Sequence, residues 1–134
     1  MNVQTYLYFP GTCLHAIDDY VRAFGAEVLY LARFTEAPEP LRLPGGENLV
    51  FHATLRIGET LLNLSDDPSR GQAPFGGFAL LVHLDSANAV DATATVLAEE
   101  GQILVAAQET AWAQRYCIVT DRFGLTWKLQ YSQP

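Results

Sequence analysis

The chain has 134 residues, a formal net charge of -7, and side chains that are 49% hydrophobic and 17% charged. That length suits one domain of the commonest size and excludes a two-domain enzyme with a separate cofactor domain, while the hydrophobic content excludes disorder. The acidic balance argues against nucleic acid and anionic membranes as partners, and the low charge count predicts that a second subunit covers part of the surface.

Val3 to Phe9 is predicted as a strand closed by Pro10-Gly11. Thr12 is the expected N-cap of a helix through Ala23, with Leu14, Ile17, Tyr20, Val21 and Phe24 at helical spacing and Gly25 as its stop. Glu27 to Phe34 reads as a strand, and the segment 35–47, with three prolines and Gly45-Gly46, as a loop or flap. Asn48 to Ile57 and Thr60 to Ser65 form a hairpin about Gly58-Glu59, and a linker of about 67–76 follows. The order then recurs: a strand Gly77 to Leu84, a helix opened by Ser86 or Asn88 and stopped by Gly101, a strand Gln102 to Ala107, and a hairpin of Tyr116 to Thr120 with Leu125 to Tyr131. Ala16-Ile17-Asp18 echoes Ala89-Val90-Asp91, and Arg56-Ile57-Gly58-Glu59-Thr60 echoes Arg122-Phe123-Gly124-Leu125-Thr126. Matches in the same order on the same elements point to an internal duplication of a βαβββ unit, with modules at about 1–66 and 77–134 of a single domain.

Alternation within the strands separates a core-facing set from a second face. Phe51, Ala53, Leu55 and Ile57 are read as core-facing, as are Leu125, Trp127, Leu129 and Tyr131. The other face then carries His52, Thr54, Asn63, Ser65, His83, Lys128 and Gln130, a mixed lining suited to a small molecule. Parity on the first strand points Leu7 and Phe9 to this cavity face, and Tyr6, Tyr8, Phe34 and Phe75 are further candidates for its walls. Cys13 and Cys117 stand in no metal or redox spacing and read as free, buried thiols, and Asp66-Asp67 before Pro68 reads as turn capping. The N-terminus shows no basic stretch before an apolar core and no run is long enough to span a bilayer, so a soluble, cytoplasmic protein is expected.

Ala23-Phe24-Gly25-Ala26-Glu27-Val28, His52-Ala53-Thr54-Leu55-Arg56-Ile57-Gly58 and Ser65-Asp66-Asp67-Pro68 resemble the PhnB-like branch of the vicinal oxygen chelate (glyoxalase/bleomycin resistance protein/dioxygenase) superfamily. The strongest likeness is Gln108-Glu109-Thr110-Ala111-Trp112-Ala113-Gln114-Arg115-Tyr116, followed by Thr120-Asp121-Arg122-Phe123-Gly124-Leu125-Thr126-Trp127. The resemblance implies an α+β fold in which two βαβββ modules form a curved mixed sheet around a cavity, and a two-fold homodimer. It also implies metal ligands on the first and last strand of each module, positions that fall here at Thr5, Ala79, Leu62 or Asn63, and Lys128. None of these is a good ligand, and an ammonium at Lys128 repels a divalent cation. No metal or other cofactor is therefore expected, and the reading is a metal-independent small-molecule-binding protein that sequesters a bulky, partly aromatic compound such as an antibiotic. Its candidate ligand-binding residues are His52, Asn63, His83, Glu109, Trp112, Arg115, Tyr116 and Lys128, with an aromatic face, a planar cation and a hydroxyl grouped at Trp112, Arg115 and Tyr116. The alternative is a metal-dependent lyase, isomerase or dioxygenase using a displaced site of His52, His83 and Glu109. On the bland reading, Trp112 covers the core and Arg115 pairs with Glu109 or Glu99.

Overall fold

Cys13, Ala16, Ile17 and Tyr20 recur at helical spacing and form the buried side of α1 (Cys13–Phe24) in the computed structural model, which describes residues 1–71 and 75–133. Gly25 ends the helix in the left-handed region, φ 66°, donating its N–H to the Val21 carbonyl. The chain divides into two units, Met1–Pro74 and Phe75–Pro134. Of the expected linker, Gln72, Ala73 and Pro74 lie outside the described residues.

In the first module β1 (Thr5–Phe9), β2 (Glu27–Arg33), β3 (Val50–Ile57) and β4 (Thr60–Asp66) form a mixed sheet in the order β1-β4-β3-β2, with β1 parallel to β4 and the other pairs antiparallel. Leu7, Phe9, Ala53, Leu55, Leu62 and Leu64 supply its buried side. Leu7 and Phe9 are thus core residues and not cavity residues; Tyr6 and Tyr8, in register with Asn63 and Ser65, take the opposite face. Core packing accepts Leu and Phe, whereas a buried tyrosine hydroxyl needs a partner, and here the open face provides one. The alternation also fails at Phe51. The register slips from Ala32 with His52 to Arg33 with Val50, leaving Phe51 as the extra residue of a bulge, and Val50 takes the buried place instead.

The Asp66 carboxylate ties this module together. One oxygen accepts the Gly11 N–H (3.1 Å) and the Cys13 N–H (2.9 Å), and the other accepts the Val50 N–H (2.9 Å). Thr12, the expected N-cap, makes no side-chain cap bond; the first turn of α1 is capped from β4 instead. Only Asp67 is the turn cap expected of the pair, accepting from the Ser69 N–H and hydroxyl and from Arg70 Nε.

The second module repeats the plan. β5 (Leu80–His83), β6 (Gln102–Gln108), β7 (Arg115–Thr120) and β8 (Thr126–Tyr131) form a sheet in the order β5-β8-β7-β6, and α2 (Ala87–Leu97) follows the first of them. The topology matches that of the first module strand for strand. The α+β fold is as expected, its strands forming two four-stranded mixed sheets, neither closed. Ser86 caps α2 through the Ala89 N–H (3.0 Å). Gly101 is not its stop: Glu100 takes the left-handed conformation, φ 57°, and Gly101 is required because a Cβ there would lie 2.4 Å from the Thr120 carbonyl oxygen. Asp121 closes the β7–β8 turn, accepting from the Phe123 and Leu125 N–H groups and from the Trp127 indole.

Both thiols are free and buried. Burial, and then the Asp66 charge, push the Cys13 thiol well above its usual range; burial and Asp91 raise Cys117, with Arg115 opposing. A thiol held neutral in the fold but able to ionise in the unfolded chain makes stability fall as pH rises past the ordinary thiol value of about 8.5. Urea titrations across that window should show the fall, and Cys13→Ser should reduce it. Asp66→Ala, leaving two buried donors and one part-buried donor unmet, should cost about 3 kcal/mol in the same assay, and Asp66→Asn less. A loss below about 1 kcal/mol for the alanine variant would contradict the anchoring role.

Candidate functional site

On the face of the first module opposite α1, strand register brings Tyr6 of β1, Asn63 of β4, and Thr54 and His52 of β3 side by side. They form one chain of hydrogen bonds: Tyr6 Oη to His52 Nδ1 (2.8 Å), His52 Nε2 to Thr54 Oγ1 (3.1 Å), Thr54 Oγ1 to Asn63 Oδ1 (3.0 Å), and Asn63 Nδ2 to Gln4 Oε1 (2.8 Å). Its sense is set at the far end. The Asn63 amide donates to Gln4, so its carbonyl accepts the Thr54 proton; the Thr54 oxygen then accepts from His52 Nε2–H, and Nδ1 is left to accept from Tyr6. Burial pushes the Tyr6 phenol upward, which keeps it a neutral donor. The His52 ring lies between Tyr6 and Tyr30, with centroids 5.4 and 5.9 Å away.

Beside this chain is a cavity of about 280 Å³, walled by Tyr6 and Tyr8 of β1, the bulged Phe51, and Phe34, Leu41 and Leu43 from the proline-rich segment. Phe34 meets Phe51 edge-on at 5.5 Å. The expected flap is a folded strap. It contains two 3-10 turns, Phe34–Glu36 and Glu39–Leu41, and its ends are joined by Phe34 N–H to the Leu49 carbonyl and Thr35 N–H to the Glu47 carbonyl. Within it, Arg42 Nε donates to the Ala37 carbonyl (3.0 Å). Leu41, Leu43 and Phe51 were not legible as cavity residues, because irregular backbone places the two leucines and a bulge re-aims the phenylalanine.

In the second module, Tyr116 and Ile118 of β7 share a face with Gln130 and Lys128 of β8, and Leu81 and His83 of β5 extend it. His83 Nδ1 and Gln130 Nε2 are 3.4 Å apart. Lys128 is exposed, and among the described residues no ion pair involves it. Trp112 is 60% exposed, so it does not cover the core, and it meets Tyr116 edge-on at 5.3 Å. Its turn is held by the Thr110 hydroxyl, which accepts from the Ala113 N–H, and by Ser132, which donates to the Trp112 carbonyl. Arg115 does not join this set. Adjacent strand residues point to opposite faces, and Arg115 lies on the α2 side, donating to Asp91 (2.9 Å) and not to Glu109 or Glu99. Glu109 is exposed at the end of the β6–β7 connection.

The donor set does not fit a divalent cation. Thr5 registers with Leu62, and the open-face residues at that level are Tyr6 and Asn63, whose carbonyl oxygen already accepts from Thr54. Lys128 holds the corresponding place in the second module, beside Leu81 and Ile118. Among the described residues no three His, Cys, Asp or Glu side chains are placed to hold a metal ion.

Two modules of identical strand order, each presenting a mixed polar and apolar sheet face, define the class. Residues 5–129 match the Glyoxalase/Bleomycin resistance protein/Dioxygenase superfamily, and the chain belongs to it. It is 34% identical over 138 residues to protein YjdN of Escherichia coli K12, a match covering 96% of this chain and 94% of that protein. Among solved structures it is similar to protein PA1353 of Pseudomonas aeruginosa, with 27% identity and a TM-score of 0.85 over 99% of this chain and 100% of that one. The PhnB protein of Bacillus cereus shares the fold with a TM-score of 0.83 at 23% identity, over 98% of this chain and 100% of that one, so the fold is PhnB-like. Among the described residues no helix is long and apolar enough to cross a membrane.

The hydrogen-bond chain predicts that His52 is the Nε2–H tautomer, and that Thr54→Val removes the acceptor that enforces it. Two-bond proton–nitrogen spectra of the imidazole read this directly. A dominant Nδ1–H form in the unmodified protein would show that the chain does not run in this sense.

Proposed function

We propose that this is a metal-independent small-molecule-binding protein that sequesters a bulky, partly aromatic compound, an antibiotic being one such class. The observation that carries the reading is the aromatic cavity of the first module, of about 280 Å³, beside the polar chain that includes His52 and Asn63. A pocket of apolar walls with a few placed polar groups is the usual form of a ligand site. The lack of suitable donors at the superfamily's ligand positions supports binding without a metal. In the second module, by itself, the face carrying His83, Tyr116 and Lys128, with Trp112 against Tyr116, is likewise both polar and aromatic.

The same reading includes a homodimer in the cytoplasm. Val28, Leu29 and Tyr30 on the edge strand β2, and Ile103 and Leu104 on the edge strand β6, are exposed, and a second copy is the occupant that would cover such edges. Two unpaired thiols suit a reducing compartment.

Protein purified without chelators should carry no stoichiometric Zn, Ni, Mn or Fe by elemental analysis. In a thermal-shift panel it should be stabilised by aromatic compounds equally with and without EDTA. Stoichiometric metal, or stabilisation that EDTA abolishes, would overturn the reading, and a strict monomer by light scattering would remove the dimer from it.

A further inference from the structure

The cavity of the first module is one-sided in its hydrogen-bonding chemistry. Among the described residues that wall it there is no Lys, Arg or His, and those with polar side chains are Tyr6, Tyr8, Ser65, Asp66 and Asp67. Tyr6 spends its proton on His52 Nδ1, and Ser65 spends its proton on the Phe51 carbonyl (2.8 Å), so both turn only lone pairs to a ligand. The Asp66 carboxylate is committed to the backbone N–H groups of Gly11, Cys13 and Val50, at the starts of α1 and β3, and faces them and not the ligand. Asp67 shares its second oxygen with Arg70. The Tyr8 hydroxyl alone can serve as donor or acceptor. An anionic ligand would meet the Asp67 carboxylate and lone pairs here, and a ligand without donors would bury acceptors with nothing to accept.

The rings have the same preference. Tyr8, Phe34 and Phe51 line the space with π systems, and an aromatic face attracts positive charge. Tyr8 already holds one cation from within the chain: the Arg70 guanidinium lies 4.0 Å from its ring centroid, matched by Asp67. The net charge of -7 favours the approach of a cation.

We propose that this cavity selects a lipophilic amine, protonated at neutral pH, whose N–H groups satisfy Tyr6, Ser65 and Asp67 while its apolar body lies against Tyr8, Phe34 and Phe51. This rests on the small-molecule-binding reading and adds the charge and donor character of the ligand.

Calorimetric titration of the full chain with three probes of nearly equal shape, phenethylamine, 2-phenylethanol and phenylacetate, tests it. The amine should bind tightest and the acid weakest, with about tenfold or more between them. Asp67→Asn, which retains a turn-capping side chain, should narrow the gap between amine and alcohol by about threefold. Tyr8→Leu should weaken the amine by about fivefold while Tyr8→Phe preserves its binding, with melting curves confirming that each variant is folded. Alcohol or acid binding as tightly as the amine, with Tyr8 and Phe34 resonances perturbed, would overturn the cation preference and leave the small-molecule reading intact. Failure of all three probes to bind would overturn both.

Discussion

One buried carboxylate sets the geometry on which the first module depends. Asp66 stands at the end of β4 and receives N–H groups from the β1–α1 turn, the first residue of α1 and the first residue of β3. Three charge-assisted bonds in a dry setting fix the relative positions of these segments far more narrowly than leucine packing does. The bulge at Phe51 begins one residue after the anchored Val50, so the same carboxylate that caps α1 also controls where the cavity wall turns. Fold and site are therefore one piece of chemistry in this module.

The second module uses its aspartate differently. Asp121 accepts from the Phe123 and Leu125 N–H groups of the β7–β8 turn and from the Trp127 indole, and α2 is capped by Ser86 from its own first turn. Equal topology is thus combined with unequal anchoring. One has a cavity whose polar atoms accept hydrogen bonds; the other has an open sheet face with an ammonium, Lys128, that no ion pair engages among the described residues.

Much of the fold was legible because hydrophobic period and turn chemistry agree at nearly every element. Gly25, Ser86 and the alternation of β8 each mean in the structure what they suggest in the sequence. What was not legible arises where a long-range contact overrides a local rule. Thr12 looks like a cap but loses that role to a residue 54 positions later in the chain. Tyr6 and Tyr8 could be assigned a face only by knowing that His52 waits there with a nitrogen free to accept. Arg115 and Tyr116 are neighbours with complementary chemistries, and strand geometry alone separates them.

The strap over the cavity is closed on itself at its base, where Phe34 and Thr35 bond to Leu49 and Glu47. Its span contributes Leu41 and Leu43 to the cavity, while Ala37 within it is buried. Substitutions in that span can reshape the recess without touching the Asp66 anchor or the order of the strands. The strap is thus a separately adjustable wall, whose residues can change the volume of the recess while the strands that carry it keep their register.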